Sequence, residues 1–101
     1  MDAVFTTLAE PNRRRILDLL RAGERPAGEI VEELAISQPG ASKHLRILRE
    51  AGLVTSRKDG QRRLYRLQPE RLAELDAWLA PYRAFWSERL DALETHLKRE
   101  S

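Results

Sequence analysis

Glu33-Leu34-Ala35-Ile36-Ser37-Gln38-Pro39-Gly40-Ala41-Ser42-Lys43-His44-Leu45-Arg46-Ile47-Leu48-Arg49-Glu50-Ala51-Gly52-Leu53-Val54 is the stretch whose reading decides the fold of this chain. Ala41, Leu45 and Leu48 fall three and four residues apart, so they share one face of a helix running from Gln38 to about Ala51. Ser37 suits the N-cap, because its hydroxyl can accept from a first-turn N–H that has no partner in the helix. Its reading is a cap rather than a contact. Gly52 ends the helix. Upstream, Pro26 opens a shorter helix in which Ile30, Val31 and Leu34 face inward and Glu29, Glu32 and Glu33 face water. Two helices therefore meet across the brief Ala35-Ile36 turn.

Working outward, the period changes after Gly52. Leu53 to Arg57 and Arg62 to Leu67 alternate like strands, and Lys58-Asp59-Gly60-Gln61 between them predicts a tight turn, since Asp-Gly favours positive φ at both central positions. Alternation puts Arg62, Leu64 and Arg66 on one face and Arg63, Tyr65 and Leu67 on the other. Before the central stretch, Val4, Phe5 and Leu8 form the stripe of a first helix spanning Ala3 to Ala9. Pro11 begins a second that runs to about Ala22, with Ile16, Leu17 and Leu20 inward and Gly23 as its stop. Beyond Glu70, Leu72, Leu75, Leu79, Tyr82, Trp86, Leu90, Leu93 and Leu97 return to helical spacing. Pro81 interrupts that run, which predicts a kink or two helices. Trp78, Tyr82, Phe85 and Trp86 surround the break.

The chain has 101 residues, 42% of them hydrophobic, and fits one domain. It has no cysteine, which removes disulfides, thiolate metal sites and thiol catalysis and suits a reducing compartment. The N-terminus lacks a charged-then-apolar leader pattern, and no run reaches the roughly 18 apolar residues of a membrane span. A soluble cytoplasmic protein with no membrane partner is expected. Net charge is +2, but it is unevenly distributed. Ser42 to Arg66 holds eight cations against two acids, for +6, and the remainder ten against fourteen, for −4. Such a division suits a polyanionic partner.

A helix, a short turn and a second helix make a helix-turn-helix, whose second helix enters the DNA major groove with its N-terminal residues at the base edges. With Ala41, Leu45 and Leu48 buried, Pro39, Ser42, Lys43 and Arg46 occupy the opposite face and Gln38 the tip. Gln pairs bidentately with adenine, and Ser and Lys meet bases or phosphates. His44, beside Leu45, is either a partly packed residue or a phosphate contact. Arg57, Lys58, Arg62, Arg63 and Tyr65 belong to the hairpin, where positive charge neutralises phosphates. Arg66 is the expected bystander. Arg13, Arg14 and Arg15 read as a solvated or ion-paired face.

The quoted stretch resembles the ArsR/SmtB family of bacterial repressors, as do Val4-Phe5 and Leu8-Ala9-Glu10-Pro11-Asn12-Arg13-Arg14-Arg15-Ile16-Leu17. The likeness continues through the hairpin. It implies a mainly α, α+β fold: a winged helix-turn-helix with a two-stranded β-hairpin wing and dimerisation helices at both ends. It also implies base contacts at Gln38, Ser42 and Lys43. Gly40 departs from a bulkier family position. The reading head would span about 11–67, and the dimerisation elements about 2–9 and 70–98, within one domain over 1–101. The implied function is a sequence-specific regulator, read as a repressor, that binds palindromic double-stranded DNA as a homodimer.

The family's dimer helices correspond to the first and last here, so Val4, Phe5, Leu8, Leu79, Tyr82, Trp86, Leu90 and Leu93 are the interface candidates. The alternative for these stripes is intramolecular core. The resemblance also brings metal sensing into question. One family site uses a Cys-x-Cys pair where this chain has Ile30, Val31 and Glu32. Another uses carboxylate and histidine pairs on the last helix, where only His96 near Glu100 stands. No metal and no cofactor are expected. The sequence names no effector. Catalysis would need a nucleophile beside a histidine and an orienting acid, and both histidines have simpler explanations. An enzyme is not expected. The competing reading is a winged-helix module that binds protein rather than DNA.

Overall fold

Capping chemistry sets the helix limits. The computed structural model describes residues 2–100, with side chains to Lys98, so the side chain of Glu100, the acid near His96, lies outside the described ones. Helix α1 covers Asp2–Leu8 and α2 Pro11–Leu20. Glu10 stands before α2 in extended conformation, and its carboxylate accepts from the Arg13 N–H at 3.1 Å. Pro11 follows in the first turn, where a missing N–H costs nothing. The helix ends at Leu20, with Arg21 as its cap, slightly before the expected Ala22.

Strand β1, Arg25–Pro26, comes next, and α3, Ala27–Leu34, follows at once. Pro26 therefore precedes the helix rather than opening it. The strand lies at the sheet edge, where a residue without an N–H is tolerated.

Helix α4 spans Gln38–Glu50. Between α3 and α4, Ala35 adopts the left-handed conformation, with φ 53°. A Cβ is unfavourable there, and glycine is not. Ala35→Gly should stabilise the protein by about 1 kcal/mol, measured by urea unfolding, with the larger backbone entropy of the unfolded glycine already deducted. A lower midpoint would show that this turn is not strained. Ser37 caps α4 as expected, its Oγ accepting from the Gly40 N–H at 3.0 Å. A Cβ on residue 40 would sit 2.9 Å from that oxygen, so a bulkier residue there would require only a small shift of the Ser37 hydroxyl, and the structure gives no reason for the glycine. At the other end the Gly52 N–H reaches the Arg49 carbonyl and the Leu53 N–H the Leu48 carbonyl, both at 3.0 Å. This is a Schellman closure, and it requires the positive φ of Gly52, 77°. Leu48 and Leu53, its apolar pair, are both wholly buried.

Strands β2, Val54–Asp59, and β3, Arg62–Leu67, form the hairpin, and β1 pairs with the far side of β3 to give the order β1-β3-β2. The sheet thus has one strand more than the expected wing. The turn also lies one residue later than the sequence suggested. Asp59 pairs with Arg62, so Gly60 and Gln61 are the central residues and only Gly60, at φ 64°, is left-handed. Glycine at the first central position is the pattern of a type II′ turn.

The main core joins Ile16, Leu17 and Leu20 of α2, Ile30 and Leu34 of α3, Leu45 and Leu48 of α4, and Ala51, Leu53 and Val54. Tyr65 and Leu67 pack on it from β3. Leu64 is buried outside that cluster, on the outer sheet face, as the alternation required.

A single 3-10 turn, Pro69–Arg71, leads into α5, Leu72–Glu100. The helix is continuous through Pro81, contrary to the expectation of two segments. Proline removes one bond, to the Ala77 carbonyl. Ala77, Ala80 and Ala84 around it favour helix strongly enough to carry the run across. Helix α5 projects well beyond the body, giving extents of 62 × 29 × 20 Å. Helix α1 packs against its start, with Phe5 edge-on to Trp78 at 5.4 Å between ring centroids. Val4 is completely buried in its own chain, so it leaves the set of interface candidates. Leu8 packs against the main core and Phe5 is half-buried.

Candidate nucleic-acid interface

Buried Ala41, Leu45 and Leu48 fix which side of α4 looks outward. Gln38, Pro39, Ser42, Lys43 and Arg46 are all exposed, and the last four line one shallow groove. Gln38 is the first helical residue, so its amide stands at the tip of the element.

His44 lies behind this face. Its side chain is 15% exposed; Nδ1 accepts from Arg13 Nε at 3.3 Å, and Nε2 stands 3.8 Å from Glu10 Oε2. Its nitrogens are thus directed into the seam between α2 and α4, in keeping with the packed alternative. The arginines of α2 serve neighbouring helix ends. Arg14 donates to the Leu8 carbonyl at 2.6 Å and to the Ala9 carbonyl at 3.2 Å. Arg15 donates to the Leu34 carbonyl at 3.4 Å and to Asn12 at 3.1 Å. Both satisfy carbonyls that a helix terminus leaves open.

The hairpin divides its cations by face. On the outer face Arg57 holds Glu24 in a two-pronged pair, at 2.9 and 2.8 Å. Those hydrogen bonds keep the Glu24 carboxyl below its ordinary range and raise the Arg57 guanidinium. Arg62 pairs with Asp59 at 3.2 Å on the same face. On the helix-side face, Arg63 donates only to Ser56 Oγ, at 3.2 Å. Among the described residues no ion pair engages Lys43, Arg46 or Lys58. Of the cations that the sequence put forward as DNA contacts, those without an acid partner among the described residues are therefore on α4 and the helix-side face of the wing. Arg57 and Arg62 were read from sequence as equal partners of Lys58 and Arg63. The structure instead commits each to an acid, and the acid for Arg57 is 33 residues away.

Residues 8–57 match a helix-turn-helix domain family. The transcriptional repressor SdpR of Bacillus subtilis is 39% identical over 79 residues, which are 78% of this chain and 88% of that protein. The HTH-type transcriptional regulator Rv2034 of Mycobacterium tuberculosis is 38% identical over 89 residues, 88% of this chain and 80% of its own. Among solved structures, an ArsR-like transcriptional regulator from Rhodococcus aligns with a TM-score of 0.71 at 31% identity, covering 93% of this chain and 89% of that one. The chain belongs to the ArsR family.

ArsR-family proteins of this fold are winged helix-turn-helix DNA-binding transcriptional regulators, and so is this chain. The homodimeric winged helix-turn-helix domain Mb0332 of Mycobacterium bovis matches with a TM-score of 0.67 at 35% identity, covering 82% of this chain and 77% of that one. Among the described residues of the ArsR-family chain, no three His, Cys, Asp or Glu side chains gather as a metal site. No helix among them is long and apolar enough to cross a membrane.

Large apolar side chains are exposed along one element. On α5, Trp78, Tyr82, Phe85, Trp86, Leu90, Leu93 and Leu97 are all between 44% and 64% exposed, and Leu79 is partly so. The sequence-derived interface candidates omitted Trp78, Phe85 and Leu97. Their place in the aromatic cluster and in the leucine spacing was the signal that could have included them.

Proposed function

We propose that this ArsR-family chain is a cytoplasmic homodimeric repressor that reads an imperfect DNA palindrome, with Gln38, Ser42 and Lys43 at base edges. Arg46, Lys58 and Arg63 neutralise phosphates, with Pro39 letting the backbone approach. The reading head is residues 11–67 of a single domain, and residues 2–9 and 70–98 assemble the dimer. The observation that carries this reading is the exposed outward face of α4, where no ion pair among the described residues engages Lys43 or Arg46. The exposed stripe on α5 supports the pairing of two copies, because a lone 101-residue chain leaves it in water.

A two-fold axis through such an interface sets the recognition helices about 34 Å apart, one turn of B-DNA. Selection of bound duplexes from random DNA should enrich an inverted repeat with half-sites at that spacing. Enrichment of no sequence would reject the reading in favour of a protein-binding winged helix.

Gln38 supplies a sharper check on base reading. Gln38→Ala should weaken binding to the selected site by about 1–3 kcal/mol and leave random-duplex binding nearly unchanged. Equal losses on both, in parallel titrations, would move Gln38 to the sequence-independent contacts.

A further inference from the structure

Three helices meet at one polar node behind the recognition face. The Thr7 carbonyl near the end of α1 accepts from Arg13 Nη1 at 3.4 Å. Arg13 Nε donates to His44 Nδ1 at 3.3 Å, on α4. Glu10 Oε2, which caps α2 by accepting the Arg13 backbone N–H, lies 3.8 Å from the other ring nitrogen of His44. The node is sheltered: the His44 side chain is 15% exposed and Thr7 5%. From α1 the chain of contacts continues through Phe5 to Trp78 at the base of the α5 stripe.

We infer that Arg13 and His44 are positioning residues that lock the roll of the recognition helix to the helices that assemble the dimer. The inference rests on the function proposed above. Ala41, Leu45 and Leu48 hold α4 against the core, but apolar contact is non-directional and resists separation more than rotation. A hydrogen bond weakens steeply with angle and distance, so it resists rotation. A helix with side chains has a radius of about 5–6 Å, so a roll of about 15° displaces its surface groups by about 1.5 Å. That distance carries a donor out of hydrogen-bonding range of a base edge. His44 directly follows Lys43 in sequence, so fixing the histidine from behind also fixes the reading side chains in front. In a dimer the same lock sets both recognition helices against one axis and so determines the half-site spacing accepted.

The test uses the full chain and the operator selected by the wild-type protein. Arg13→Met removes both side-chain donors and keeps most of the stem. His44→Leu removes the acceptor, whereas His44→Asn places an amide oxygen near the position of Nδ1. Each protein is titrated against that operator, against versions with the spacer one base pair longer or shorter, and against random duplex. Melting temperature and sedimentation are recorded alongside. Arg13→Met and His44→Leu should remain dimeric, keep random-duplex affinity within about twofold, and lose about tenfold on the operator. Their penalty for the altered spacers should shrink towards unity, while His44→Asn keeps the wild-type penalty.

Loss of operator and random binding in equal measure would overturn the assignment, as would wild-type spacer discrimination in both Arg13→Met and His44→Leu. If Arg13→Met fails to fold, the contrast between His44→Asn and His44→Leu decides, and equal behaviour of those two overturns it. A wild-type protein without any preferred duplex would instead reject the proposed function, and this lock with it.

Discussion

A Trp86→Glu substitution is expected to leave a folded monomer that no longer holds its operator tightly. Trp86 is half exposed in the single chain and lies in the middle of the α5 stripe, with Tyr82 and Leu79 before it and Leu90 and Leu93 after. Burial between two copies contributes on the order of 1.5–3 kcal/mol for each such side chain, before the costs of association and ordering. A carboxylate at that point would have to be desolvated, which opposes the gain from several of these contacts. The fold should survive, because Trp86 does not belong to the main core. Losing the second half-site removes the advantage of tethered binding, about two to four orders of magnitude in affinity. Sedimentation and operator titration must change together. A Trp86→Glu protein that stays dimeric and binds normally, or a wild-type monomer at micromolar concentration, would overturn the assembly.

The second large effect concerns salt. Among the described residues Lys43, Arg46, Lys58 and Arg63 have no acid partner, whereas Arg57 and Arg62 are held by Glu24 and Asp59. Each neutralised phosphate contributes about 0.9 to the slope of log affinity against log salt. Replacing these four cations with Ala should therefore flatten that slope by about 3 to 4 units per recognition head and greatly weaken every duplex, whatever its sequence. Replacing Arg57 and Arg62 should change the slope by less than about one unit. A log–log titration in which the Arg57/Arg62 pair matters as much as the other four would show that the intramolecular acids yield to DNA.

Local chemistry made much of the fold legible. Pro11, Ser37 and Gly52 mark helix limits because each satisfies or removes a terminal backbone group, and the structure uses Pro11, Ser37 and Gly52 in those ways. Alternation from Arg62 to Leu67 assigned the faces of β3, since a strand has no other way to divide its side chains. Strand β1 could not be read: two residues show no period, and a proline argues against a ladder. The turn was displaced because Asp-Gly suits both turn positions, and only pairing of Asp59 with Arg62 settles which residues are central. Val4 was assigned outward because an apolar stripe reads alike whether it meets its own chain or another. The candidate site shows the same boundary. The outward face of α4 followed from helical spacing, but the charge state of the wing depends on Glu24, which lies in a loop before β1. The inward orientation of His44 depends on Arg13, 31 residues earlier. Such partners are set by tertiary folding and leave no local pattern.

The placement of the aromatic residues on α5 has one more consequence. Both tryptophans of the chain, Trp78 and Trp86, stand on the exposed stripe, and the reading head has none. The protein therefore carries its own optical label for self-association, and the label lies outside the proposed reading head. In a single chain these indoles are 44% and 50% wet and should emit at long wavelength. Enclosure between two copies dries them and moves the emission to the blue, so a dilution series followed by intrinsic fluorescence traces assembly without any dye. Since α4 and the wing contribute no indole, adding DNA to a fully assembled sample should leave the emission maximum in place. DNA added to a dilute one should shift it only by drawing monomers together.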